Sequence, residues 1–322
     1  MSLSPDLLYP PIEPFSTQML AVSPRHSLYV ERSGKPGGYP VVFLHGGPGS
    51  QTRPFHRRYF DPAFFEVVLF DQRGCGRSQP AGETGENTTQ DLVEDIHAVS
   101  KALGFRGRFS LFGGSWGSTL ALAYALRYPQ TLDELILRGI FLASADELEW
   151  YTHGLARFAP NAWENLARGM GENLIDSYHE AVFAADSRRA SEAAARWVDY
   201  ENRLMSPGAT PFSGPVTPEL LNRARVQLHY LKHRCFLDEP LLDAAAQLEL
   251  PVTIVQGALD LICPPVTACR LSEALPDATF RLVSDAGHSA MSGSLAVALR
   301  EETDALRDRI RRRDRDQQED SL

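Results

Sequence analysis

This sequence predicts an α/β architecture: a mostly parallel sheet flanked by helices and interrupted by an inserted α-helical segment. Three observations carry that prediction. Near-continuous apolar runs end in glycine-rich loops, as in "PVVFLHGGPGS" (Pro40 to Ser50) and "FEVVLFDQRGCGRS" (Phe65 to Ser78), which is how strands buried on both faces read. Amphipathic stretches alternate with such runs as far as about Phe141, giving a β-α-β rhythm. From roughly Leu142 to Pro240 the rhythm stops and helical periodicity replaces it.

The elements follow in order. After a Pro-rich lead, "SLYVERSG" alternates apolar and polar residues as a half-buried strand does. The two buried runs come next, then "TTQDLVEDIHAVSKALG", a helix with Thr88 or Thr89 as its cap and acidic residues in its early turns. "RFSLFGGS" reads as a strand, "STLALAYALRYP" as a helix stopped before Pro129, and "DELILRGIF" as a strand. The insertion contains "ADELEWYTHGLARF", "DSRRASEAAARWVDYENRLM" and "PELLNRARVQLHYLKHR", all amphipathic. The rhythm returns with "LPVTIVQGALD" (strand into loop), "PPVTACRLSEALP" (helix), "ATFRLVSDAGHS" (strand into loop) and a last helix. The expected organisation is therefore core 1–141, helical cap 142–240, core 241–306, and a charged tail 307–322 read as a solvated, fraying helix end.

With 322 residues, 43 % of them hydrophobic and 23 % charged, the chain can bury a sizeable core. A formal charge of −9 argues against a nucleic-acid binder. The four cysteines, Cys75, Cys235, Cys263 and Cys269, have no metal-ligand spacing and suggest neither a zinc site nor a disulfide framework. No secretory signal or membrane span is read from the sequence, so a cytoplasmic location is expected.

The chemistry centres on Gly113-x-Ser115-x-Gly117 between a buried strand and a helix rich in small residues. That context is the nucleophile elbow of the α/β-hydrolase fold, in which a strained turn exposes the serine hydroxyl. A serine needs a base and a group to orient it, and in this fold the chain order is Ser, acid, His. Of the histidines after Ser115, only His288 in "SDAGHS" follows a core strand, where sites form in open α/β sheets. By the same logic Asp260, ending "VTIVQGALD", is the acid, with Asp285 as the local rival. The oxyanion donors are expected at the backbone N–H of Trp116 and in "HGGPG", at Gly47, with Gly46 its neighbour. Asp71 and Arg73 of "DQRGCGRS" are read as an internal ion pair bracing the loops. No metal, nucleotide or nicotinamide fingerprint is present, and no cofactor is expected.

Together these residues resemble the prolyl aminopeptidases (proline iminopeptidases), over nearly the whole chain. The likeness runs from "YPPIEPF" through "HGGPGS", "FDPAFFEVVLFDQRGCGRS", "ENTTQDLVEDI", "FGGSWGSTLALAYALRYP" and "LILRGIF" to "IVQGALDLICPP" and "DAGHS". The resemblance implies a Ser115–Asp260–His288 triad, no cofactor, and removal of proline from the N-terminus of a small peptide. It also implies a substrate amine held by cap glutamates and a proline ring in an aromatic pocket. In the W-x-x-W-E pattern of the family, here "WVDYE", Glu201 matches and Tyr200 replaces a tryptophan. In the pattern A-R-I-E-x-H-Y-F, here "ARVQLHYL", Gln227 stands where glutamate is expected and Leu231 where phenylalanine is. Phe141 and Tyr151 match the other pocket aromatics. Periodicity alone would put Glu201 and Gln227 on an exposed helix face. Two other activities fit the sequence: an esterase or amidase of small acyl compounds, and a non-catalytic ligand sensor, against which the intact triad argues. A dehalogenase would need aspartate at position 115.

Overall fold

In the computed structural model, residues 7–105, 107–205, 210–291 and 293–319 are described. The first residues of the Pro-rich lead and the last three of the charged tail lie outside them. Eight strands form one sheet, β1 (Ser16–Ala21), β2 (Ser27–Gly34), β3 (Tyr39–Leu44), β4 (Phe65–Phe70), β5 (Phe109–Gly114), β6 (Leu132–Arg138), β7 (Val252–Gly257) and β8 (Ala278–Val283). Their spatial order is β1-β2-β4-β3-β5-β6-β7-β8. The β1–β2 and β2–β4 pairs are antiparallel and all others parallel. Every residue of β4, β5 and β7 is buried, whereas β2 largely alternates, so the apolar runs and the alternating run have different surroundings. The edge strand β1, mostly exposed, comes from a stretch with no strand signal of its own.

Helices α1 (Thr89–Ala102) and α2 (Trp116–Arg127) pack on one face. Thr88 is the cap: its hydroxyl accepts from the Asp91 amide, and Asp91 returns a bond to the Thr88 amide, which satisfies donors a helix start leaves open. Between β6 and β7 the chain builds α3 (Ala145–Thr152), α4 (Pro160–Ala167), α5 (Leu174–Val182), α6 (Ser187–Met205) and α7 (Pro218–Lys232). These helices have a core of their own, centred on Tyr178, Trp197, Tyr200 and Leu228. The helix α8 (Leu241–Ala245) packs back on α2 and on α9 (Pro265–Ala274), within the core beneath the sheet.

The last helix, α10 (Gly293–Glu319), covers the other face with Leu295, Leu299, Leu306 and Ile310. Its charged end differs from a simple solvated tail. Arg309 pairs with Glu134 at 2.5 Å, and Arg313 with Asp133 at 2.7 Å, both on β6. These carboxylates lie more than 170 residues away in sequence, so no local pattern reveals the pairing.

Candidate active site

Ser115 is the residue before the first turn of α2 and has φ 56° and ψ −127°, an uncommon conformation for a residue with a side chain. The strained turn is held by its amide, which donates to the Arg138 carbonyl at 2.9 Å. Glycine is required on either side. A Cβ on Gly113 would stand 2.2 Å from the Gly117 carbonyl oxygen, and one on Gly117 2.2 Å from that of Leu44. The elbow therefore fits only because β3, β5 and α2 approach to backbone contact.

Asp260 and His288 sit in the loops after β7 and β8. His288 Nδ1 donates to Asp260 Oδ2 at 2.8 Å, with both side chains buried. Asp260 Oδ1 accepts from the amides of Ile262 and Cys263 at 3.0 and 2.9 Å, and Gln256 approaches Oδ2 at 3.3 Å. A carboxylate fixed this way holds the ring in the tautomer that leaves Nε2 free as a base. Arg138 donates to the His288 carbonyl at 2.9 Å, and Gly139, at φ 54°, leaves room for the pair: a Cβ there would meet the His288 ring at 3.2 Å. The rival Asp285 is occupied elsewhere, accepting from the Ser294 hydroxyl at 2.5 Å.

The loop after β3 reaches over Ser115, and a Cβ on Gly46 would stand 3.3 Å from the serine Cβ. Gly47 has φ 122°. The Trp116 side chain, on which the sequence was silent, braces this loop. Its indole donates to Gln72 Oε1 at 2.9 Å, and the Gln72 amide donates to the His45 carbonyl at 2.9 Å. His45 Nε2 accepts from the Gln72 backbone at 3.0 Å while Nδ1 donates to the Gly46 carbonyl at 2.9 Å. Burial keeps His45 below the ordinary histidine value, hence neutral.

Asp71 and Arg73 are both in internal ion pairs, but not with each other. Asp71 takes Arg77 Nε at 2.7 Å and the Thr52 hydroxyl at 2.6 Å. Arg73 makes a two-pronged contact with Asp95, each bond 2.7 Å. The chain turns at Arg73 and Gly74, where Gly74 has φ 71°, and Arg73 meets Asp95 on α1 while Asp71 stays with Arg77 and Thr52.

A cavity of about 300 Å³ is lined by Gly47, Ser115, His288, Phe141, Tyr151, Glu201, Gln227 and Leu231, with Arg223 and Cys263 among the rest. Asp260 lies behind His288, and Trp116 turns its side chain away from the cavity into the core. Phe141 is positioned from α2: the Ser118 hydroxyl accepts from its amide at 3.2 Å and Thr119 donates to its carbonyl at 2.5 Å. The Cys263 thiol adjoins Ser115, and burial pushes it well above its ordinary value, so it stays protonated.

Glu201 on α6 and Gln227 on α7 are buried against each other rather than exposed. Glu201 Oε1 accepts from the Gln227 amide at 2.6 Å, and Gln227 Oε1 accepts from the Trp197 indole at 3.0 Å. The indole can only donate, so the glutamine oxygen is committed to it and the nitrogen faces Glu201. Glu201 Oε2 accepts from Arg223 at 3.0 Å. Tyr151 contributes a buried hydroxyl beside Glu201, pushed well above the ordinary tyrosine value by burial and then by the Glu201 charge. Arg223, one helical turn before Gln227, escaped the sequence reading because a lone arginine on an amphipathic helix carries no local signal of its partner.

The family model for the alpha/beta hydrolase fold matches residues 39–293. The proline iminopeptidase of Arabidopsis thaliana is 43% identical over 304 residues, 91% of this chain and 80% of that protein. The proline iminopeptidase of Neisseria gonorrhoeae is 41% identical over 298 residues, 89% of this chain and 94% of that one. Among solved structures, a proline iminopeptidase-related protein from Thermus thermophilus superposes with a TM-score of 0.61 at 24% identity, covering 90% of this chain and 96% of that one, a likeness of fold. On the extent of these matches, the chain belongs to the proline iminopeptidase family of α/β-hydrolase fold enzymes.

Proposed function

We propose that this chain is a prolyl aminopeptidase, releasing proline from the N-terminus of short peptides through an acyl-enzyme on Ser115. The observation that carries the reading is the convergence of the Ser115 elbow, the His288–Asp260 pair and the Glu201 carboxylate on one cavity with aromatic walls. Ser115 Oγ attacks the prolyl carbonyl while His288 Nε2 takes the hydroxyl proton, and Asp260 steadies the imidazolium that forms. The Trp116 and Gly47 amides receive the developing oxyanion, each donor contributing roughly 3–4 kcal/mol to the transition state. His288 passes its proton to the leaving amine, the peptide C–N bond breaks, and a shortened peptide departs. Water, deprotonated by His288, then attacks the prolyl ester and restores Ser115. No step calls for a metal or cofactor.

Phe141, Tyr151 and Leu231 form the wall for the pyrrolidine ring, and Glu201 holds the terminal amine. The helical segment 142–240 acts as a cap over the site. We assign the activity to the cytoplasm, which the four unpaired cysteines support. Among the described residues, no helix is long and apolar enough to cross a membrane.

One observation favours the second reading, an esterase or amidase of small acyl compounds: Arg223 and Gln227 already occupy both oxygens of Glu201. A panel of chromogenic substrates decides between them, comparing prolyl arylamides with free and blocked amines against short-chain aryl esters. Strong preference for the free prolyl amine is expected. Equal use of blocked and free amines would favour the esterase. An organophosphonate should label Ser115 alone.

A further inference from the structure

We propose that Arg223 makes this site select the unprotonated form of the substrate's terminal amine, an inference that rests on the aminopeptidase reading. The charges of Glu201 and Arg223 on the cavity wall cancel. Glu201 is in contact with Gln227, which is neutral, and Arg223 Nη2 donates to Glu201 Oε2 at 3.0 Å. Arg223 and Gln227 are four residues apart on α7, hence on one face, and that face meets Glu201 on α6.

An ammonium brought here would meet a carboxylate whose two oxygens already accept bonds and a guanidinium beside it. Its hydration would be lost without an unshared counter-charge to offset the loss. A neutral secondary amine presents one N–H donor and one lone pair. The site presents the complement: Glu201 accepts, and Arg223 has a buried Nε that lacks a partner among the described residues. A prolinium ion has two donors and no lone pair for Arg223 to use.

No other charge facing this end reverses the balance. From α3, Tyr151 stays neutral, and the Glu147 carboxylate is turned to its own helix start, accepting from the Leu142 and Ser144 amides at 3.0 and 2.9 Å. Elsewhere on the cavity wall Arg53, Arg138, His56 and His288 add no negative charge.

The test is the ratio of kcat/KM for a prolyl arylamide to kcat/KM for a short-chain aryl ester, followed against pH. Both substrates use the same triad, so the ratio isolates the substrate amine. In the wild type the ratio should rise roughly tenfold per pH unit until the amine's own pKa is reached. With a 4,4-difluoroprolyl arylamide, whose amine is less basic, the plateau should begin at lower pH. Arg223→Met should abolish the slope, and Arg223→Lys, which keeps a cationic donor, should retain it. A ratio independent of pH in the wild type, or an unmoved plateau for the fluorinated substrate, overturns the inference even if the variants fail to fold. So does an unchanged slope in a folded Arg223→Met. Failure to hydrolyse any prolyl arylamide while the ester is cleaved overturns the aminopeptidase reading and this inference with it.

Discussion

The ridge above the sheet and the helical segment facing it hold their functional groups by different means. On the ridge, Ser115, Asp260 and His288 each stand within a few residues of a strand's end, and their neighbours are backbone groups: the Arg138 carbonyl, the Ile262 and Cys263 amides. In the helical segment, Glu201 is held by side chains alone, Gln227 and Arg223, with Trp197 holding Gln227 in turn. Backbone partners come with the fold and change little under substitution. Side-chain partners can be exchanged one at a time, so the proposed function assigns chemistry to the ridge and substrate preference to the helices.

The largest effect that would test this division is Ser115→Ala. It should lower kcat by roughly 10⁴-fold or more for peptide and ester alike, because what remains is binding and oxyanion stabilisation. Circular dichroism and the melting temperature should stay close to wild type. Appreciable turnover in the variant would place the nucleophile elsewhere.

Next is Asp260→Asn, expected to cost roughly 10⁴-fold in kcat through the wrong His288 tautomer. Asp285→Asn should be nearly silent, since its carboxylate engages Ser294. Reversal of these two results would exchange the acids.

Glu201→Gln should act on one substrate only. In the wild type the amine N–H donates to a charged acceptor, a bond worth about 1.5–3 kcal/mol, and in the variant to a neutral one. A roughly tenfold rise in KM for a prolyl arylamide is expected, with the aryl ester little changed. Gln227→Glu should lower that KM by adding a carboxylate, even though Gln227 does not itself offer its oxygen. Equal responses of both substrates would show that the helices do not sort them.

Trp116→Phe is expected to touch stability more than chemistry. It leaves the buried Gln72 oxygen without its donor, a loss of about 1–3 kcal/mol that a denaturant melt would register. A drop in kcat as large as that of Asp260→Asn would mean the brace governs the oxyanion loop directly.

The last effect concerns acid stability and leaves catalysis aside. Burial, followed by nearby positive charge, pushes His56 down to about 3, although it lines the cavity. The unfolded chain therefore binds a proton that the folded one refuses, and stability falls as pH drops from the ordinary histidine range near 6.5 toward about 3. His56→Gln should flatten that fall by up to about 1.4 kcal/mol per pH unit; an unaltered acid limb would rule His56 out as its source.

By itself the sequence determined the order of the core strands from β2 to β8 with the helices α1, α2, α9 and α10 between and after them, the elbow, and the candidate triad residues. Each rests on local pattern: buried strands read as unbroken apolar runs, and a serine between glycines at a strand's end can form one kind of turn. The edge strand β1 was missed because an exposed strand need not be apolar. The α10 ion pairs, the separate partners of Asp71 and Arg73, and the brace from Trp116 through Gln72 to His45 were likewise beyond it. At the cap, periodicity suggested an exposed face for Glu201 and Gln227, and only tertiary packing decided otherwise: α6 and α7 turn their polar residues inward, each satisfied by the other. A helix's own pattern shows which residues share a face. What lies opposite that face is fixed by how the chain folds back, and there the orientation of Gln227 and the choice of Arg223 as partner to Glu201 were settled.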